Sequence, residues 1–184
     1  MQIPSEEAFI TGWRIKSDDP DSDKKPIFGD FLDAPELKVI GDGLIKSGLL
    51  ARYGDDNLII DYRWKRKGGT SGGMPRVGKC VKLSGPAKHY ADGSHFMIWL
   101  AADHCEVEGF NEYQIEALVY HELLHVERVE TDEEDLEGQP IIKYRTRGHD
   151  FEGFYSELKQ YGAWNRDWQR LEEVVRQMPL PGLD

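Results

Sequence analysis

The residues best suited to chemistry lie between positions 117 and 126, which read ALVYHELLHV. Apart from Tyr120, only His121, Glu122 and His125 are polar there. Positions four apart share one face of an α-helix, so the imidazoles of His121 and His125 can converge on one ion. Zinc takes nitrogen ligands in a tetrahedron, and a catalytic site uses three protein ligands and leaves one position to water. Glu122 is turned about 100° from His121 around the helix axis. From there a carboxylate can reach such a water without ligating the ion, and can take its proton as general base. This is the physical content of the H-E-x-x-H spacing.

A third ligand has few sources. His149 is the only histidine after His125. It stands in RGHDFEGF, at the start of a further expected helix, where a turn can bring it back over the pair. Asp150 beside it can cap that helix or bond to a ligand, and Glu152 is the reserve, which would give a two-histidine, one-carboxylate site. His149 as a surface helix cap is the plainer alternative.

Other local patterns read as decoys. GMPRVGKC at 73–80 approaches a phosphate loop, but Cys80 replaces the hydroxyl that would hold magnesium, and VKLSGP continues as strand and turn. Arg63, Lys65, Arg66, Lys67, Arg76 and Lys79, with Trp64 among them, form a basic loop able to touch nucleic acid. A solvated hairpin explains it as well. His104 beside Cys105 has no separate base to make a thiol nucleophile. Tyr144, Tyr155 and Tyr161 are open as oxyanion stabilisers, and core packing accounts for each. The acidic run 132–135 is expected to face solvent, with a flap over the cleft as the alternative.

The elements that must position these groups follow from periodicity. Asp33 and Glu36 have capping-box spacing, with Pro35 in the first turn. Leu37, Ile40, Leu44 and Ile45 then recur at helical intervals, and Gly48 can end the helix. Leu58, Ile60, Tyr62 and Trp64 alternate with less apolar neighbours, as in a half-buried strand. Val77–Leu83 reads as a second strand, and the glycine-rich loop 68–73 is placed to close a hairpin between the two. His95–Leu100 is nearly continuous in apolar residues, as a strand buried on both faces would be. Phe110, Asn111, Gln114 and Ile115 have the layout of a capped helix start. That helix is expected from about Glu112 to about Arg128, buried all round, and broken by the stretch Glu130–Gly138. Ile141–Arg145 suits a short strand. A helix is expected from near Asp150, and a last one from Asn165 to Met178 with Trp168, Leu171, Val174, Val175 and Met178 inward. Strands early and helices late indicate an α+β chain.

The bulk numbers bound the rest. The 184 residues suit one domain, with 39% apolar residues to fill a core. A formal charge of -11 repels nucleic acid and anionic membranes in general. No apolar run approaches 18 residues, so no membrane span is expected, and Met1–Trp13 lacks the pattern of a secretory signal. Two cysteines make no disulfide framework, which favours free thiols and a cytoplasmic location.

HELLH at 121–125 together with GHDFEGF at 148–154 resembles the SprT-like branch of the zincin metallopeptidases, and the wider layout is most similar to phage metallopeptidases of that type. There a PELK-like helix, here Pro35–Lys38, precedes strands and an ALVYHELLH-like helix. The resemblance covers roughly residues 33–162. It implies a zincin-like single domain over 33–184 after an N-terminal extension at 1–32, with a core at about 33–162 and a C-terminal helix at about 165–178. It implies a small, twisted, mainly antiparallel sheet packed on the metal helix. It also implies hydrolysis of a peptide or protein substrate, with zinc on His121, His125 and His149 and Glu122 as catalytic base, in a host cytoplasm if the chain is phage-encoded. The chain departs from the pattern in lacking a four-cysteine zinc ribbon and in the long acidic gap between His125 and His149. A zinc hydrolase of nucleic acid or of another amide or ester is one alternative. A zinc-stabilised phage accessory or binding protein without catalysis is the other.

Overall fold

The structure is a computed structural model that describes residues 1–9, 30–47, 58–134, 136–149, 163 and 166–177. The chain forms two compact units, 1–147 and 148–184.

In the first unit, β1 (Phe31–Asp33) leads into α1 (Pro35–Lys46), followed by β2 (Ile60–Lys65), β3 (Thr70–Ser71), β4 (Met74–Pro75) and β5 (Gly78–Lys82). Then come α2 (Gly85–Tyr90), β6 (Phe96–Ala101), α3 (Ala102–Val107), α4 (Glu112–Leu124) and the strands β7 (Val126–Glu134) and β8 (Pro140–Thr146). The α+β composition is as expected. The main sheet has the order β1-β2-β6-β5. Two of its pairings are antiparallel, and β2 with β6 is parallel.

The alternation read in β2 is present. Ile60, Tyr62 and Trp64 are buried and Asp61, Arg63 and Lys65 face the other side. The apolar run of β6 is central, with Phe96, Ile98, Trp99, Leu100 and Ala101 buried. Its position corrects the expected hairpin. β6 separates β2 from β5, so the glycine-rich loop does not join paired neighbours. The short β3 and β4 pair instead, across Gly72 and Gly73, both at positive φ, which a type I′-like turn requires.

One face of the sheet, with Trp64, Leu100, Tyr62, Ile98 and Cys80, shares a core with Leu37 and Leu44 of α1 and Ile115, Val119 and Leu123 of α4. Phe9 is buried in the same core. The capping box proposed for α1 is absent. Ala34 is the N-cap without a side-chain bond, Asp33 pairs with Arg63, and Glu36 accepts from Trp64 Nε1. Glu36 thus ties α1 to β2, and Asp33 ties β1 to the same strand. Gly48 lies outside the described residues.

In the second unit the described helix is α5 (Arg166–Gln177). Val174 and Val175, expected inward, are each 51% exposed, and Leu171 is half-buried. The helix expected from Asp150, with Glu152, Tyr155 and Tyr161, lies outside the described residues, as do Asn165 and Met178 and the side chain of Trp168. No described helix is long and apolar enough to cross a membrane.

Candidate metal centre

Helix α4 begins where its sequence says it should. Asn111 Oδ1 accepts from Gln114 N–H and Gln114 Oε1 accepts from Asn111 N–H, both at 3.0 Å. Two of the unsatisfied N–H groups of the first turn are thereby satisfied. The helix ends earlier than expected, at Leu124, with His125 as a C-cap in αR conformation. Val126, Val129 and Thr131 are β-branched and continue directly into β7, which pairs with β8 through Val126↔Thr146 and Glu130↔Ile142. That long-range pairing, not the acidic stretch, stops the helix. Asp132, Glu133 and Glu134 lie on β7 and are exposed.

Burial of α4 is also narrower than its composition suggests. Ile115, Val119, Glu122 and Leu123 form one buried stripe at helical spacing, and Ala117 and His121 are exposed. This leaves His121 on an accessible face and turns Glu122 into the core.

The His121 and His125 rings stand 5.1 Å apart, edge to face. His125 is held by the end of β8. Its carbonyl accepts from Arg147 N–H at 2.8 Å, and its Nδ1 lies 2.8 Å from the Arg147 carbonyl. A carbonyl accepts only, so Nδ1 carries the proton, and Nε2 is the ring nitrogen whose lone pair could ligate a metal. The chain thus pinned continues through Gly148 to His149. The ligand atoms of His121, His125 and His149 all lie within 4.8 Å of one another, so this triad can bind a metal ion. Three imidazoles with an accessible side suit a cation of zinc's type.

Glu122 is 4% exposed. Burial pushes its carboxyl from the ordinary 4.5 up to about 7, against the opposing influence of His125, the Cys80 backbone N–H bonded to it, and Lys79. A carboxyl poised near neutrality, one residue from a candidate ligand, suits proton transfer at physiological pH.

A family model described as "Putative phage metallopeptidase" matches residues 29–176. The chain belongs to this family. The family points to a metal-dependent peptidase, and the histidine triad could hold a metal ion. No curated protein and no solved structure matches the chain.

The other candidates lie as follows. Lys79 and Cys80 lie in β5, so no helix follows the glycines as a phosphate loop needs. Within the basic cluster, Arg63 pairs with Asp61 and Asp33, Arg66 with Glu6, and Lys65 lies 4.6 Å over the Trp99 ring. His104 Nε2 bonds to the Gly69 carbonyl at 2.9 Å. Cys105 is fully buried, and burial foremost, then Asp103, pushes its thiol up to about 12, as in a structural core thiol. Cys80 and Cys105 are free thiols. Tyr144 packs on His95 and Phe96 in the core. Sequence reasoning missed Gly78, whose bare Cα faces the Glu122 carboxylate. A lone glycine in a strand of bulky partners was the available signal.

Proposed function

We propose that this chain is a zinc-dependent metallopeptidase of zincin-like, SprT-like type, with His121, His125 and His149 as metal ligands and Glu122 as general base. The convergence of the three histidine ligand atoms carries this reading. Zinc, when bound, would polarise a scissile carbonyl and acidify a water molecule. Glu122 would serve as the proton acceptor in that chemistry. Its raised affinity for a proton lets it hold one near pH 7 and pass it to the leaving amine. The core around Glu122 fixes the carboxylate, and the Arg147 carbonyl fixes the His125 tautomer. The substrate is a peptide or protein. The free, buried thiols suit a reducing host cytoplasm.

The test is to incubate zinc-loaded wild type and Glu122→Gln with a proteome-derived peptide library and read new termini by mass spectrometry. The reading expects cleavage by wild type and none by a zinc-retaining Glu122→Gln. A zinc-loaded wild type that leaves the library intact, or a variant that cleaves equally well, overturns it.

A further inference from the structure

Strand β5 meets the Glu122 side chain at two points. The Cys80 backbone N–H donates to the carboxylate. A Cβ built at Gly78 would stand 2.6 Å from Glu122 Oε1 and 3.2 Å from its Cδ, with Leu100 Cδ2 at 3.0 Å. The space a side chain at 78 would fill is therefore the space the carboxylate occupies.

The register explains why both contacts fall on the same strand. Ala101 N–H donates to the Val77 carbonyl, and Leu83 N–H to that of His95. In an antiparallel ladder the intervening residues Gly78, Cys80 and Lys82 then turn their backbone groups away from β6. The Cys80 N–H is thus released from the sheet to bond a side chain. On the core face, Gly78 shares a row with Leu100 and Trp64. Glycine beside such partners weakens a strand, since it packs nothing and loses more entropy. Nor does backbone conformation demand it, because Gly78 is not among the glycines at positive φ. Clearance remains as the physical reason, and of the two side chains met there Glu122 is approached more closely than Leu100.

We propose that Gly78 is a positioning residue for Glu122, so that strand β5 as well as helix α4 sets where the general base stands. A methyl group at 78 drives the carboxylate off the Cys80 N–H by a large part of an ångström, and displacement on that scale costs proton transfer. The catalytic consequence rests on the peptidase reading, whereas the placement of Glu122 does not.

The experiment is a double-mutant cycle of Gly78→Ala and Glu122→Ala, read by thermal unfolding, with zinc content and kinetics of zinc-loaded Gly78→Ala alongside. Expected is a fall in Tm when Gly78→Ala meets Glu122, and little or none when Glu122 is already alanine. Zinc content and KM stay at wild-type values, while kcat falls roughly ten- to a hundredfold. An equal loss of Tm in both backgrounds overturns the proposal, because the methyl then clashes with Leu100 or the strand. Wild-type kcat in Gly78→Ala overturns it too. Should Gly78→Ala fail to fold, folding restored by Glu122→Ala supports the proposal and continued failure overturns it. If wild type cleaves nothing, the peptidase reading fails, and the Tm cycle still decides the placement.

Discussion

His125 and the Arg147 backbone hold each other at two points, with the His125 backbone carbonyl accepting from Arg147 N–H and the Arg147 carbonyl facing His125 Nδ1, both at 2.8 Å. The pair closes the base of the β7–β8 hairpin onto the end of α4. One candidate ligand is thereby given its tautomer. Arg147→Pro removes the N–H and should weaken zinc binding about 10- to 100-fold, as loss of a partner that orients a ligand does. Arg147→Ala keeps both backbone groups and should cost far less. Competition with a chromophoric chelator measures both, and equal affinities in the two variants would show that the clip is irrelevant to the metal.

Glu122 gives a pH dependence in the metal-free protein. Its folded carboxyl titrates near 7, above the ordinary 4.5. The folded state therefore binds the proton more tightly than the unfolded state. The stability linked to that proton is fully present below the unfolded value and is lost as pH rises through 7. Metal-free wild type should lose on the order of 1–3 kcal/mol relative to Glu122→Gln between pH 5 and pH 8.5. Urea unfolding at several pH values checks this, and parallel curves for the two proteins would contradict the assigned burial.

The thiols follow the same sign. Burial, and then Glu122, pushes Cys80 up to about 12, and Cys105 reaches about 12 as well. Both stay protonated and shielded at neutral pH, so a thiol-reactive dye at pH 7.5 should label neither in the native protein and both after denaturation. Because the unfolded thiols ionise first, their contribution to stability fades as pH climbs from about 9. Rapid labelling of either cysteine in folded protein would refute its place in the core.

Packing of α1 on β2 has its own probe. A Cβ at Gly41 would clash with the Tyr62 hydroxyl and stand 2.5 Å from its Cζ. Gly41→Ala should destabilise by about 1–3 kcal/mol through overpacking. The Tyr62 hydroxyl is buried with no hydrogen-bond partner among the described residues, so Tyr62→Phe should be neutral or stabilising. In the Tyr62→Phe background, Gly41→Ala should hurt less, and undiminished damage would place the clash elsewhere.

What the sequence revealed and what it hid divides by range. The spacing of His121 and His125 and the reciprocal cap of Asn111 and Gln114 are local and could be read directly. So could the alternation of β2 and the apolar run of β6. The end of α4 could not, because Leu123, Leu124 and Val126 keep an apolar pattern while the decision is made by pairing with residues 140–146. The insertion of β6 between β2 and β5 is likewise a long-range choice. Asp33 and Glu36 fit a capping box in spacing, yet Arg63 and Trp64, some thirty residues away in sequence, take them. Gly78 looked like part of a phosphate loop because its purpose lies on another element, at Glu122.

The central claim is that His121, His125 and His149 jointly hold one zinc ion. The most direct test is zinc content by elemental mass spectrometry on wild type and on His121→Ala, His125→Ala and His149→Ala, all purified without added metal. Expected is about one zinc per wild-type chain, as a single three-ligand site requires, with marked loss in each histidine variant while Glu122→Gln retains its zinc. A wild type that contains no zinc and takes up none on addition, or a His149→Ala protein with full occupancy, would contradict it.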